Sequence, residues 1–411
     1  MPRVLIVAAP RNLKIRAGTS VWQRRRGPAL HMTAIRRDLT TDVVVVGAGV
    51  SGALVAESLV AAGLKVTIVD KARPLAGATT ASTALLQYDL DVPLQQLIQR
   101  IGMDKALRIW RRSRLALDAL RQRSMHLGIK AQFEDRDSLY LEGNRLDGGG
   151  LEAEAHARRS AGFEVQMLSR RQVANRYGIV RRCGLLGFGN ASAEPRLLAA
   201  GFLRYAIDGG ATLHPNAKVL KVEPGKHWVL AQLEHGPTVK ARHLVFATGY
   251  EIPQHVPANR HSIASTWVMA TRPQAGWPSS CLMWEASDPY LYMRMTPEGR
   301  VICGGEDEAF KDTQHRDELL PTKIAAIQRK LARLLPGIDT RAQYSWAGSF
   351  GSSPSGAPTI GTVPRMPRCY AVMGYGGNGI TFSMLAAQVL RGLISGEGDV
   401  DAQLFSFNRK F

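Results

Sequence analysis

The fold of this chain is decided by the stretch Asp42-Val-Val-Val-Val-Gly-Ala-Gly-Val-Ser-Gly52. Its first part is a short apolar run of β-branched residues, which is typical of a buried parallel strand. The segment Ala53 to Ala62 favours a helix, and a second apolar strand, Lys65 to Val69, ends on Asp70. The pattern predicts a strand–helix–strand unit of about 30 residues.

The three glycines of this stretch form a G-x-G-x-x-G, a pattern that binds dinucleotides when a strand precedes it and a helix follows it. Gly47 permits the tight turn, Gly49 lets a pyrophosphate approach the backbone, and Gly52 lets helix and strand pack closely. The helix N-terminus supplies N–H donors to the phosphates, and Asp70 can accept the ribose hydroxyls. The predicted contacts in this unit are Gly47, Gly49, Val50, Ser51, Gly52, Asp70 and Lys71.

This unit alone does not distinguish NAD from FAD. A second glycine turn follows an apolar strand at Ala247-Thr248-Gly249, and a third glycine-rich turn lies at 374–381. A long dinucleotide that carries an isoalloxazine ring needs such distant contacts, whereas an isolated NAD domain does not. We therefore expect FAD.

Several motifs together resemble the D-amino-acid-oxidase-like family of FAD-dependent oxidoreductases, and the chain is similar to glycine oxidase, sarcosine oxidase and gamma-glutamylputrescine oxidase. The resemblance covers about 40–411. The motifs are GAGVSG (47–52), GATTASTALLQ (77–87), ATG (247–249), WAG (346–348), PTIG (358–361) and GYGGNGIT (374–381).

The resemblance implies an α/β fold with a Rossmann-like, discontinuous FAD-binding domain and a smaller antiparallel-sheet substrate domain. We expect the FAD-binding domain at 38–120, 150–260 and 345–411, and the substrate domain at 121–149 and 261–344. The resemblance also implies FAD contacts from Thr79, Thr80, Ser82, Leu85, Leu86, Gln87, Val219, Ala247, Thr248, Gly249, Gly376, Gly377, Asn378, Gly379, Ile380 and Thr381.

One departure from the family bears on the substrate. Amino-acid oxidases of this family bind the substrate carboxylate through an arginine shortly after W-A-G, and glycine oxidase adds another in the last glycine turn. This chain has Ser349-Phe350 and Gly376-Gly377 at those places. An amine or polyamine derivative is therefore favoured over a small α-amino acid, unless Arg294 replaces the lost charge. The other candidate pocket walls are Trp267, Trp284, Tyr290, Tyr292, Trp346 and Tyr375.

The expected reaction is oxidation of a C–N bond of an amine or amino-acid derivative. Hydride passes to flavin N5 and the resulting imine hydrolyses, so the flavin and no side-chain acid or base carries the chemistry. His261 and His315 remain alternatives as bases. The electron acceptor is either O2 or a partner protein. The rival interpretations are a flavin subunit of a dehydrogenase, a D-amino-acid dehydrogenase, and a non-catalytic protein that keeps the fold.

The composition of the chain bears on nucleic-acid partners, metals and membrane spans. The net charge is +19, but seven Arg or Lys and no acid lie in 1–31, and the remaining charge is spread without a basic stripe, so we expect no nucleic-acid partner. We expect residues 1–37 to lie outside the fold, with Met32 as a possible true start. The four cysteines have no metal or redox spacing, which favours a reducing cytoplasm and no metal. We also expect no membrane span, because the most apolar window, 43–64, contains Glu57 and four glycines.

Overall fold

A computed structural model describes residues 5–6, 16–24, 27, 29–258, 260–274 and 280–410. The strands in this part of the chain are β1 (Leu5–Ile6), β2 (Arg16–Thr19), β3 (Leu39–Val46), β4 (Val66–Val69), β5 (Leu85–Leu86), β6 (Glu134–Leu141), β7 (Val165–Ser169), β8 (Cys183–Ser192), β9 (Thr212–His214), β10 (Val219–Pro224), β11 (Val229–Leu233), β12 (Thr238–Phe246), β13 (Ser262–Pro273), β14 (Leu282–Glu285), β15 (Leu291–Met295), β16 (Arg300–Glu308), β17 (Ala342–Ser352), β18 (Thr359–Thr362) and β19 (Cys369–Met373). The helices are α1 (Val50–Ala61), α2 (Leu94–Ile101), α3 (Met103–His126), α4 (Gly148–Ser160), α5 (Arg170–Tyr177), α6 (Pro195–Asp208), α7 (Thr313–Glu318), α8 (Leu320–Leu334), α9 (Gly379–Ser395) and α10 (Ala402–Phe405).

The first sheet carries the predicted strand–helix–strand unit. Its order is β1-β10-β11-β12-β3-β4-β9, and β19 also pairs with β12. Strands β12, β3, β4, β9 and β19 run parallel to their neighbours within this group. Since ligands bind beyond the carboxyl ends of such strands, this edge is where a nucleotide site is expected.

Helices α1, α3, α6 and α9 cover one face of the first sheet. Helix α1 is apolar around most of its circumference and is buried from Ser51 to Glu57 because it lies between the sheet, α6 and α9. The buried Glu57 carboxylate pairs with the Arg123 guanidinium of α3. The glycine turn before α1 is therefore held by a densely packed core.

The second sheet is mostly antiparallel, in the order β2-β17-β13-β16-β15-β14-β6-β8-β5, with β7 paired to β8. Helix α8 packs on β13, β16 and β17. The α/β class and its two sheets confirm the predicted fold class. The second sheet takes in β7, β8 and β17, which the sequence-based boundaries assign to the FAD-binding domain.

The N-terminal residues differ from expectation. Strand β2 pairs with β17, Val21 and Trp22 are buried, and the Trp22 indole Nε1 donates to the Ser82 carbonyl oxygen at 2.7 Å. The prediction that 1–37 lie outside the fold is therefore wrong for 16–24, while 1–4, 7–15, 25–26 and 28 lie outside the described residues. The prediction rested on the excess of positive charge in this segment. A single edge strand followed by one buried tryptophan has no periodic apolar pattern, so the sequence does not indicate that the segment is folded.

Smaller differences lie between 152 and 177. The sequence predicts two helical pieces there, and the structure has the strand β7 between α4 and α5. Among the described residues, no helix is both long enough and apolar enough to cross a membrane.

Candidate functional site

A cavity of about 690 Å³ lies between the two sheets and is lined by residues of both. Nineteen of the predicted cofactor contacts line it, namely Gly47, Gly49, Val50, Ser51, Asp70, Lys71, Thr79, Ser82, Leu85, Gln87, Val219, Ala247, Thr248, Gly249, Gly376, Gly377, Asn378, Gly379 and Ile380. The topology thus gathers segments separated by more than 300 residues of sequence into one site.

The glycine turn after β3 has the geometry that the pattern predicts. Gly47 has a φ of +108°, which an L side chain rarely adopts. A Cβ at Gly52 would lie 1.9 Å from the Gly47 carbonyl oxygen, so only glycine allows this helix–turn contact. A Cβ at Gly49 would come within 3.2 Å of the Thr79 hydroxyl, which accepts the Val50 N–H at 3.0 Å.

Asp70 fixes the end of β4 to this turn. Its carboxylate oxygens accept the N–H groups of Ala48 at 2.7 Å and Ala72 at 2.8 Å. Burial raises the pKa of Asp70 above its ordinary value, and the two backbone N–H groups oppose that rise. The neighbouring Lys71 ammonium pairs with the Glu251 carboxylate, whose other oxygen is buried and makes no hydrogen bond within the described chain.

The C-terminal glycine turn closes the other part of the cavity. Gly374 and Gly376 have positive φ values of +70° and +57°, and the turn leads into α9. The Gly377 N–H donates to the Asp91 carboxylate at 2.9 Å, and the Asn378 amide donates to the Asp89 carbonyl oxygen at 2.5 Å. Burial raises the pKa of Asp91.

Four predicted contacts do not line the cavity. Gly52 lies beneath the first turn, and Leu86 is buried in the main core. The hydroxyls of Thr80 and Thr381 donate to the Gly77 and Gln87 carbonyl oxygens at 2.9 Å each. These residues support the shape of the cavity from behind, whereas Leu85, also expected from the resemblance, lines it.

The chain fits FAD by two observations. The first turn is open to the cavity at Gly49, where the Thr79 hydroxyl, at 3.2 Å, is the one atom within 4 Å of an added Cβ among the described residues, so a side chain there would occupy the space of the pyrophosphate. The Gln87 amide nitrogen lines the cavity, is buried and has no hydrogen-bond partner within the described chain. A donor in that state needs an acceptor from a ligand.

The second sheet supplies an aromatic wall that includes Trp284, Tyr290 and Tyr292. The Tyr290 and Tyr292 rings are 5.7 Å apart, and the Tyr292 hydroxyl lies 3.2 Å from the Thr266 hydroxyl. Burial raises the pKa of both tyrosines, so their hydroxyls stay protonated. Tyr375, from the last glycine turn, also lines the cavity.

Three other candidate pocket residues are placed elsewhere. Arg294 is 2% exposed and donates to the carbonyl oxygens of Thr83 and Ala193 at 2.7 and 2.8 Å, so its role as a substrate-binding charge is wrong. The indole of Trp346 donates to a backbone carbonyl at 2.9 Å, and that of Trp267 does so at 3.0 Å. None of the three residues lines the cavity. Trp267 points to the opposite side of β13 from the lining Thr266, whereas Arg294 and Trp346 lie farther along their strands, beside Trp22.

The two histidine alternatives also lie outside the cavity wall. His261 Nε2 is 2.9 Å from the Thr359 hydroxyl, and burial lowers the pKa of His261 to about 4. His315 lies on α7 with its ring 5.0 Å from that of Phe310. Neither is placed to exchange a proton with a ligand in the cavity.

The sequence reasoning missed several lining residues. Asp91 and Asp307 lie on the wall, as do Thr266 and Tyr250, and Arg16 reaches it from β2. Asp307 had one detectable signal, since it is one of three consecutive acids that end β16. The Arg16 guanidinium donates to the Ala76 carbonyl oxygen at 2.9 Å, on the loop that leads to Thr79.

This chain has no arginine at 349–350, where amino-acid oxidases of the family bind the substrate carboxylate. Ser349 and Phe350 line the cavity, as the sequence places them. The Ser349 hydroxyl accepts a hydrogen bond from the Arg316 guanidinium at 2.8 Å, and that guanidinium also pairs with Asp317. Arg316 does not line the cavity.

The site and fold define an FAD-dependent oxidoreductase. The model of the family described as FAD dependent oxidoreductase (DAO) matches residues 42–393, and the chain belongs to this family. FAD is its cofactor, as the sequence predicts, and the resemblance to this family is confirmed.

Individual relatives are distant. The chain is 21% identical over 374 residues to the probable oxidoreductase OrdL of Haemophilus influenzae, covering 87% of this chain and 84% of OrdL. Glycine oxidase from Geobacillus kaustophilus superposes with a TM-score of 0.76 at 19% identity, covering 91% of this chain and all of that one. L-proline dehydrogenase from P. horikoshii gives 0.75 at 15% identity, covering 90% and 97%. At these identities the solved structures support the fold alone.

Proposed function

We propose that this oxidoreductase oxidises a C–N bond of an amine or amino-acid derivative to an imine, which then hydrolyses to a carbonyl compound. The observation that carries the proposal is the aromatic wall of Trp284, Tyr290 and Tyr292, which faces the same cavity as Gln87 and the turn at 376–380. Two solved structures of the same fold carry the names of an amino-acid oxidase and an amino-acid dehydrogenase, which supports the same substrate class.

The proposed reaction balances without a side-chain nucleophile. The C–H bond on the carbon that bears nitrogen breaks, and its hydrogen leaves with the electron pair as a hydride. The nitrogen lone pair forms the C=N bond, and the nitrogen then loses a proton where charge requires it. FAD, when bound, supplies the acceptor for that hydride. Water adds to the imine carbon, and ammonia or an amine leaves.

The chain's own residues would hold the cofactor at three places. The turn 47–50 and Thr79 would hold the pyrophosphate, Asp70 the ribose, and Gln87 with 376–380 the ring. Each assignment follows the position of these residues on the cavity wall. The Gln87 amide would donate to a ring acceptor, which satisfies its otherwise unpaired N–H group.

The aromatic side chains would exclude water from the reacting carbon. Formation of C=N requires the lone pair of the amine, so an ammonium substrate must lose a proton in the cavity before the C–H bond breaks. The Tyr292 and Thr266 hydroxyls, 3.2 Å apart, are available to orient a polar group of the substrate.

The test is anaerobic reduction of the purified, FAD-loaded protein by a panel of amines and amino acids. An effective substrate bleaches the visible flavin band, while its N-acetyl derivative, which has no basic lone pair, leaves the band unchanged. Admission of air then identifies the electron acceptor, since rapid recolouring indicates O2 and slow recolouring indicates a partner protein. A protein that no amine or amino acid reduces would refute the proposal.

A further inference from the structure

One acid on the aromatic wall is not used by the function proposed above. Asp307 lies at the end of β16 and lines the cavity together with Thr266, Tyr290 and Tyr292. Among the described lining residues from β13 to β16 and the loop before β15, it is the one that carries a charge.

The Asp307 carboxylate has no cation paired with it among the described residues, and its two oxygens are buried. Both of its oxygens are inaccessible to solvent and make no hydrogen bond of normal geometry within the described chain, although the Thr266 and Tyr290 hydroxyls lie beside them. Nearby Lys323 is engaged elsewhere, with its ammonium 2.5 Å from the Glu308 carboxylate and 4.9 Å from the centre of the Trp267 ring. A buried, ionised carboxylate costs free energy unless a cation or hydrogen-bond donors contact it.

The surrounding charges favour a cation. Asp91 is the other acid whose field acts on Asp307, and its carboxylate accepts a hydrogen bond from the Gly377 N–H. The cations on the cavity wall belong to other segments. Lys71 pairs with Glu251, and Lys218 pairs with Glu234. Arg16 is bonded to the Ala76 carbonyl oxygen, and Arg73 lies on the loop after β4. A ligand carboxylate beside Asp307 would therefore meet like charge.

We propose that Asp307 is a specificity-determining residue that binds the ammonium group of the substrate, so that the enzyme selects cationic amines over carboxylates at the aromatic wall. The inference rests on the proposed function for the identity of the site and deepens it by naming the substrate class. Three N–H donors of an ammonium match the two free carboxylate oxygens, and the tyrosine rings attract the same cation through their faces.

Binding of this kind is compatible with C–N oxidation. The reacting nitrogen must lose a proton before its lone pair can form C=N, and a carboxylate in contact with the ammonium is a ready acceptor for that proton. Burial raises the pKa of Asp307 to about 6, which brings it nearer to that of a functional base than an exposed aspartate.

The experiment measures binding and not turnover. Butylamine, 1-butanol and butyrate are titrated into the oxidised, FAD-loaded protein, and the dissociation constant is read from the shift of the visible flavin spectrum. The variants are Asp307→Asn, which removes the charge at constant shape, and Asp307→Glu, which keeps it. Asp208→Asn is the matched control, because it makes the same chemical change at an exposed residue that ends α6 and does not line the cavity.

The inference predicts that the wild-type protein binds butylamine at least tenfold more tightly than butyrate. It also predicts that Asp307→Asn weakens butylamine binding by about 10- to 100-fold while butanol binding stays within about twofold. Asp307→Glu should keep the preference for the cation, and Asp208→Asn should match the wild type. The FAD content of each variant confirms that the site has formed.

Three outcomes would overturn the inference. They are equal binding of butylamine by wild type and Asp307→Asn, tighter binding of butyrate than of butylamine, and no binding of butylamine by the wild type. A change in FAD affinity without a change in the preference for butylamine would assign Asp307 to the cofactor instead. An amine that binds but never reduces the flavin would leave this inference standing and refute the proposed function.

Discussion

Replacement of Gly52 by alanine tests the glycine turn on which the cofactor site depends. An added Cβ would lie 1.9 Å from the Gly47 carbonyl oxygen and 3.0 Å from its carbonyl carbon. Since Cβ contacts below 3.0 Å are essentially absent from real structures, the helix and the turn must separate by about 1.1 Å. The turn includes Gly49, so the change displaces the backbone that faces the cavity.

The size of the effect follows from the packing around α1. The helix is enclosed by the first sheet, α6 and α9, so it cannot move away freely. Overpacking of this kind typically costs 1–3 kcal/mol, and each 1.4 kcal/mol corresponds to a factor of ten in affinity. We expect Gly52→Ala to bind FAD about 10- to 100-fold more weakly than the wild type.

The assay is reconstitution of the apoprotein with FAD, followed by quenching of flavin fluorescence. Gly337→Ala is the matched control, because no heavy atom lies within 4 Å of its added Cβ and its φ is not positive. The control should bind FAD as the wild type does. Equal FAD affinity in wild type and Gly52→Ala would refute the argument that this contact shapes the site.

Three further predictions address the pocket, the cofactor and the N-terminal strand. Burial raises the pKa of Asp307 from 3.8 to about 6, so its ionised form destabilises the fold above pH 6. Urea unfolding at saturating FAD should show Asp307→Asn more stable by about 3 kcal/mol at pH 7.5, with the advantage shrinking between pH 6 and 4; a pH-independent difference would contradict this. Gln87→Leu should weaken FAD binding by about 1 kcal/mol, measured by the same fluorescence titration, because it removes the donor; unchanged affinity would place Gln87 away from the ring. Trp22→Ala should lower the free energy of unfolding by about 3–5 kcal/mol in urea titration, because this side chain is 7% exposed and packs with Trp346 and Ile302; a loss below about 1 kcal/mol would show that the segment contributes little to the fold.

The sequence predicts best what backbone chemistry determines. The strand–helix–strand unit and the glycine turn that begins at 374 depend on glycine spacing and apolar runs, and the structure has both at the expected place. Most predicted cofactor residues line the cavity because parallel strands bring their carboxyl ends to one edge of the first sheet.

The remaining features depend on which face of a strand points to the cavity and on which part of that face reaches it, and the sequence alone specifies neither. Arg294 and Tyr292 are two residues apart on β15, yet Tyr292 lines the cavity and Arg294 is bonded to backbone carbonyls of other segments. Trp346 resembled a pocket residue by its type, but its indole binds a loop carbonyl instead. Strand β2 went unpredicted because its stability comes from pairing with β17, more than 300 residues away.

Asp307 illustrates the limit for charged residues. An acid at the end of a strand is ordinarily solvated, and its burial in the cavity becomes visible only when β13, β15 and β16 are assembled around it. The assembled strands show that the aromatic wall carries a negative charge. The absence of arginines at 349–350 and 376–377 does not by itself establish that charge.

The central claim is that this family member oxidises C–N bonds of amines at the aromatic wall of its FAD cavity. The most direct measurement is the anaerobic titration of the FAD-loaded protein with primary and secondary amines, monitored at the visible flavin band. The account predicts stoichiometric bleaching by at least one amine, with the matching aldehyde or ketone formed in equal amount. A yellow protein that binds FAD tightly but is bleached by none of the amines or amino acids would contradict it.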